Sequence, residues 1–278
     1  MKGSLITALT CLLFVTAQAQ ITCSPEDSLL FKSKVETLQE LSLTPDAPSM
    51  VSIGKTFLGT PYVEKTLEIG EEETLVVNLR GLDCTTFVEN VLAFSMLMRE
   101  KTYTFENFVA SLKTIRYRDG ILNGYPSRLH YFTEWILNNN EKGLVKDITA
   151  DLGGVSFTKP INFMGTHRDL YPFLADDANY EALLAVEANL AKHTRCVVPQ
   201  ESIAEIEEKL ENGDIIALAT DITGLDVTHT GIAIRMPTGR IHLLHASSSG
   251  EVTITKTPLV TYLKKIKRNT GIVVARPL

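Results

Sequence analysis

The chain is short of several things, and each shortage removes a class of protein. Beyond its first fifteen residues it has no apolar run long enough to cross a hydrocarbon layer about 30 Å thick, which excludes a bundle of membrane-spanning helices. It has no excess of basic residues: 27 Lys and Arg face 33 Asp and Glu, and the formal net charge of −6 makes it a poor partner for nucleic acid. No internal repeat, low-complexity tract or Gly- and Pro-rich linker divides it, so residues 20–278 read as one domain. Cysteine is scarce, with four in 278 residues.

What is present begins with a leader. Lys2 precedes an apolar run from Leu5 to Val15, and Ala17-Gln18-Ala19 follows with the small-x-small spacing of a cleavage site. Residues 1–19 are therefore expected to be a secretory signal peptide, leaving a periplasmic or secreted protein without stable membrane insertion. Its removal takes Lys2 away and carries the formal charge from −6 to −6 − 1 = −7. Cys23, Cys84 and Cys196 then reside in an oxidising compartment, where an odd number leaves at least one thiol unpaired within the chain. A Cys23–Cys196 bridge is one arrangement; another leaves all three free.

Periodicity divides the remainder into helices first and strands last. Leu29, Leu30, Val35, Leu38 and Leu41 predict an opening helix from Pro25, and a second short helix should end near Gly59-Thr60-Pro61. Thr74 to Val77 reads as extended chain. From Cys84 to about Arg99 the apolar residues fit a helix buried round much of its circumference, with Asp83 at the N-cap. Further helices are expected over Phe105–Ile115, Tyr131–Asn138 and Asp177–Lys192. Strands are expected over Asp214–Thr220, Val227–Arg235, Arg240–Ser247, Val252–Lys256 and Gly271–Arg276. The class is α+β, with residues 116–200 as a large middle insertion.

Cys84 is the first candidate for chemistry, because a thiol at a helix N-terminus lies where a thiolate is stabilised. A cysteine beginning a helix is more often a packed residue, so partners decide. In Thr228-His229-Thr230-Gly231-Ile232-Ala233, strand alternation puts His229, Gly231 and Ala233 on one face. A three-residue Pro237-Thr238-Gly239 loop would pair Met236 with Arg240 and set His245 diagonally from His229 on that face, with His242 pointing away. A two-residue turn would reverse this. Hydrolysis of an amide by a thiol needs the nucleophile, an imidazole to carry its proton, and a polar group to orient that imidazole. Cys84, His229 and His245 can supply these roles.

The segments carrying these residues resemble the NlpC-like branch of the papain-like cysteine peptidases and amidases. Phe57-Leu58-Gly59-Thr60-Pro61-Tyr62 is similar to that group's entry motif and Leu82-Asp83-Cys84-Thr85-Thr86-Phe87-Val88 to its nucleophile helix. Asn212-Gly213-Asp214-Ile215-Ile216, Thr228-His229-Thr230-Gly231-Ile232 and Leu244-His245-Ala246-Ser247 resemble its core strands. The Thr85-Thr86 pair and the segments Arg116 to Gly120 and Tyr125 to Phe132 point to an N-acetylmuramoyl-L-alanine amidase-like subgroup exported by many Gram-negative bacteria.

The resemblance implies a papain-like fold in which a helical N-terminal lobe carries the Cys helix against a C-terminal antiparallel sheet. It implies Cys84 as nucleophile, His229 as base, His245 as orienting group, Tyr62 lining the site near the oxyanion, and no cofactor or metal. Peptidoglycan fragments would be the substrate, cut between muramic acid and L-Ala. Asp83 would hold a free peptide amine in a peptidase, but an amidase meets an acylated one, which leaves Asp83 as a helix cap. Arg118, Ser127 and Arg128 could grip a muropeptide's carboxylates or sugar, or could tie the insertion to the core.

Three other readings compete. A D-Glu to diaminopimelate endopeptidase would use the same three residues on a different bond. A zinc amidase would draw on His229, His242 and His245, but strand alternation separates His242 and no clear carboxylate completes the set. A wall-binding module without activity would follow if Cys84 were in a disulfide. His167 resembles a site residue without a role.

Overall fold

The computed structural model describes residues 21–43 and 48–278; the expected signal peptide lies outside them. Strand β1 (Ile21–Cys23) leads into helix α1 (Pro25–Leu41). Ser24 caps that helix in a capping box with Asp27, and Pro25 sits in the first turn, where its missing N–H costs nothing. Asp27 is buried and accepts from the Leu79 N–H and the Arg80 guanidinium, fastening α1 to the chain after β2 (Leu75–Val77). Helix α2 (Met50–Lys55) follows α1, and β1 pairs in parallel with β2.

Helix α3 (Cys84–Glu100) is buried on almost every side, as its run of Phe87, Val88, Val91, Leu92, Phe94 and Leu97 requires. It packs on α4 (Phe105–Arg116), and the two share a buried ion pair, Arg116 Nε to Glu89 at 2.7 Å. The middle segment continues with α5 (Phe132–Glu141), β3 (Val145–Asp147), β4 (Val155–Phe157), α6 (Phe163–Thr166), α7 (Asp177–Leu190) and β5 (Arg195–Pro199). After α8 (Ile203–Ile206) come β6 (Ile215–Thr220), β7 (Val227–Arg235), β8 (Ile241–Ala246) and β9 (Val252–Ile254), then α9 (Leu259–Leu263) and β10 (Asn269–Pro277).

The strands form an antiparallel sheet in the order β4-β5-β10-β6-β7-β8-β9, with β3 also on β10. Both faces are covered, which explains why the central strands are apolar throughout rather than alternating with polar residues. Ala217, Ala219, Ile232, Leu244 and Ala275 lie in the apolar cluster on the α2 and α3 side of the sheet; Ile216, Leu218, Ala233, Leu243 and Ile272 share a second cluster with α8 and α9. The fold is thus mixed α and β with a largely antiparallel sheet.

The middle segment is less separate than an insertion. β5 and β3 both pair with β10, so residues 116–200 extend the sheet itself. A third apolar cluster, including Tyr125, Tyr131, Met164, Phe173 and Leu183, holds α6 and α7 against α5's approach. α5 has no capping side chain of its own; Asp226, just before β7, accepts from the Thr133 N–H and hydroxyl, both at 2.8 Å, and does that work from a distance.

Candidate functional site

Asp83 caps α3 as its sequence position predicts, accepting from the Thr86 N–H at 2.7 Å while the Thr86 hydroxyl bonds back to the Asp83 N–H. Cys84 is thereby fixed as the first helical residue. The Thr230 hydroxyl on β7 donates to the Cys84 carbonyl at 2.9 Å and pins this turn to the sheet. Two residues before Thr230, at Thr228, the β6–β7 ladder skips a position between Leu218–His229 and Ala219–Val227. Such a bulge bends a strand and re-aims its side chains, and His229 stands beside it.

The β7–β8 hairpin closes as the three-residue loop predicts. Met236 and Arg240 pair through a 2.9 Å bond, and Ile232 faces Leu244. His229 and His245 therefore share a face, with His229 Nε2 2.6 Å from His245 Nδ1 and the rings edge to face at 89°. Gly231 stands between them: a Cβ there would lie 2.9 Å from the His245 Cβ and 2.8 Å from Leu243, so no larger residue fits without displacing the pair. His242 lies on the other face, with its Nδ1 on the Thr255 carbonyl.

Cys84 and His229 line one cleft of about 200 Å³, together with Thr85, Asp226, Glu68, Tyr125 and Tyr171. The three described cysteines, Cys23, Cys84 and Cys196, are all free, so Cys84 is in no disulfide with either of the other two. The thiolate expected from the helix terminus meets stronger opposition. Burial, followed by the adjacent Asp83 carboxylate, pushes the Cys84 thiol up to about 11, against smaller help from Thr230 and Thr85. Burial lowers His229 to about 3, with His245 contributing, and lowers His245 to about 4. The resting site at neutral pH is an uncharged thiol beside two uncharged imidazoles.

Tyr62 is half-buried, its N–H donating to the Gly250 carbonyl at 2.7 Å, and burial, followed by the proximity of Cys84 and Asp83, raises its hydroxyl to about 12. Tyr262 on α9 was not legible as a site residue. Its ring meets His245 edge-on at 5.6 Å, and its hydroxyl is raised by burial and by Cys84. Its only sequence signal was membership of a short apolar segment far from the histidines.

The three side chains expected to grip a ligand are spent inside the protein. Arg118 binds Glu134 at 2.5 Å and the Pro126 carbonyl at 2.9 Å. Ser127 donates to the Gly124 carbonyl and accepts from the Asn123 N–H. Arg128 is 5% exposed and paired with Glu68, which lines the cleft, and with Glu73. Buried guanidinium groups need such partners, and here the partners are protein. His167 stacks on Phe163 at 4.0 Å with its Nδ1 on the Phe163 carbonyl.

A cysteine opening a buried helix, beside paired histidines in a cleft of an α/β sheet protein, is an arrangement suited to a hydrolase. The chain belongs to the N-acetylmuramoyl-L-alanine amidase-like family, whose model matches residues 52–272, and it is a hydrolase. It is similar to an N-acetylmuramoyl-L-alanine amidase from Bacteroides uniformis, with 37% identity and a TM-score of 0.78 over 83% of this chain and 97% of that one. It is also similar to a putative xylanase from Bacteroides fragilis, with 40% identity and a TM-score of 0.75 over 80% and 98% of the two chains. A Legionella pneumophila protein, 23% identical over 90% of this chain and 95% of its own, shares the fold with a TM-score of 0.66. No curated protein matches.

Proposed function

We propose that this hydrolase cuts the amide between the lactyl group of N-acetylmuramic acid and L-Ala in peptidoglycan fragments, on a papain-like scaffold of the NlpC type and outside the cytoplasm. The observation that carries the reading is the 2.6 Å contact between His229 Nε2 and His245 Nδ1 on the wall of the cleft that Cys84 opens into. With Nε2 engaged, His229 offers its Nδ1 to the thiol. His229 Nε2–H then donates to His245 Nδ1, which fixes the tautomer.

The chemistry follows from that assignment. The thiol proton moves to His229 Nδ1 as sulfur bonds to the lactyl carbonyl carbon. The same proton then passes to the departing L-Ala nitrogen as the C–N bond breaks, leaving a thioester on Cys84. Water, deprotonated by His229, adds to the thioester; the C–S bond breaks, muramic acid leaves with its carboxylate, and the thiol regains its proton. Because the resting groups are neutral, charge appears only as the nucleophile attacks. Asp83 serves as the cap of α3, one of its carboxylate oxygens accepting from both the Thr86 N–H and hydroxyl.

The test is product analysis. Incubated with defined muropeptides, including anhydro forms, the mature protein should release peptide beginning with L-Ala and free sugar, read by mass spectrometry, and Cys84→Ala should release neither. Cleavage within the stem peptide would replace the amidase by an endopeptidase. Equal turnover by Cys84→Ala would sink the nucleophile assignment.

A further inference from the structure

His245 is nearly enclosed, at 2% exposed, yet little in its own sheet holds its ring. Its Nδ1 meets His229 Nε2 at 2.6 Å, and no other hydrogen bond reaches the imidazole among the described residues. The ring turns on a soft, roughly two-fold torsion. One bond at one corner therefore leaves its plane free, and a half-turn would put a carbon where Nδ1 stands. Gly231 on β7 and Thr253 on β9, which stand against it, are both small. The enclosure comes from elsewhere.

Helix α9 supplies it. Leu259 and Leu263, both fully buried, anchor this five-residue helix in the second apolar cluster, and the Tyr262 N–H donates to the Pro258 carbonyl at 2.9 Å within its turn. Tyr262 packs beside that cluster, and its ring meets His245 edge to face, with centroids 5.6 Å apart and planes at 68°. His229 meets the same imidazole at 4.8 Å and 89°. His245 thus has a ring against it from each of two elements, in the geometry that aromatic pairs prefer. Tyr262 contributes shape rather than charge. Burial, then Cys84, raises its hydroxyl, which stays protonated at neutral pH, and that hydroxyl has no hydrogen-bond partner among the described residues. Resting on the roles given above to Cys84, His229 and His245, we propose that Tyr262 is a positioning residue whose ring fixes the plane of the His245 imidazole. Packing sets the plane, and the bond to His229 chooses between the two half-turns within it. His245 Nδ1 then stays an acceptor for His229 Nε2–H, and His229 keeps Nδ1 free for the thiol.

The experiment reads the imidazoles directly, by nitrogen NMR of the mature protein labelled with ¹⁵N in its histidine rings and titrated with acid. In the parent, His229 and His245 should both carry their proton on Nε2 and should titrate below about pH 5, since burial lowers both. Tyr262→Leu and Tyr262→Met, two ringless variants of which either suffices if the other fails to fold, should let His245 average between its tautomers and titrate about one pH unit or more higher. Their kcat on the muropeptide that the parent cuts should fall about tenfold with KM unchanged. Tyr262→Phe keeps the ring and should reproduce the parent's spectrum and titration. Ringless variants that retain the tautomers and titrations of the parent, whatever their melting temperatures, would reduce Tyr262 to a packing residue and overturn the proposal. So would a Tyr262→Phe protein that behaves like the ringless ones, because the role would then lie in the hydroxyl. The spectra involve no substrate, so cleavage within the stem peptide would strike the amidase reading and leave the role of Tyr262 standing.

Discussion

Single residues set the chemistry through burial more than through charge. His229 must be neutral to take the thiol proton, and it is neutral above its pKa, which burial and His245 lower to about 3. The acid limb of kcat/KM should therefore fall below about pH 5 rather than near the usual histidine value of about 6.5. A profile measured from pH 4 to 9 checks this; an acid limb centred near 6.5 would mean that the imidazole is solvated. Gly231 offers a steric test of the same pair. Gly231→Ala places a methyl against His245 and Leu243, and should cost about 1–3 kcal/mol of stability and about tenfold or more in kcat/KM. Urea midpoints together with kinetics well below the melting temperature separate the two effects.

Elements hold these residues in place by bonds that cross between them. The Thr230 hydroxyl joins β7 to the first turn of α3, and Asp226 joins the start of β7 to the start of α5. Removing Asp226 leaves the Thr133 and Val227 N–H groups without their acceptor. Asp226→Ala should lower stability by about 1–3 kcal/mol, read as a shifted urea midpoint. Much at this scale was legible in the sequence. The apolar period placed α1, α3, α4 and α7 within a residue or two, and Asp83 was a cap, while the hairpin register was open between two loop types until the Met236–Arg240 pairing decided it. What escaped were β1, β3, β4 and β5, of three to five residues, too short for alternation to register. The interior ion pairs of Arg116 and Arg128 escaped too, because a lone arginine in sequence reads as surface or as ligand-binding. Only the fold brings Glu89 and Glu68 to them.

At the scale of the whole molecule, β10 ties everything together. It lies between β5 and β6 and also carries β3, although it is the last strand in the chain. Truncation before Asn269 would open the sheet through its middle and leave β5 and β6 with unpaired inner edges. Such edges template aggregation, so the truncated chain should collect in the insoluble fraction while the full chain stays in solution. Contacts between distant parts of a chain also form slowly, because loops must close before the pairing rewards them. During synthesis, Cys84, His229 and His245 are all made before the strand that completes their sheet, His245 only shortly so. The parts of the hydrolase thus come together only as the last stretch of the chain is made, and the site is assembled when synthesis ends rather than while it proceeds.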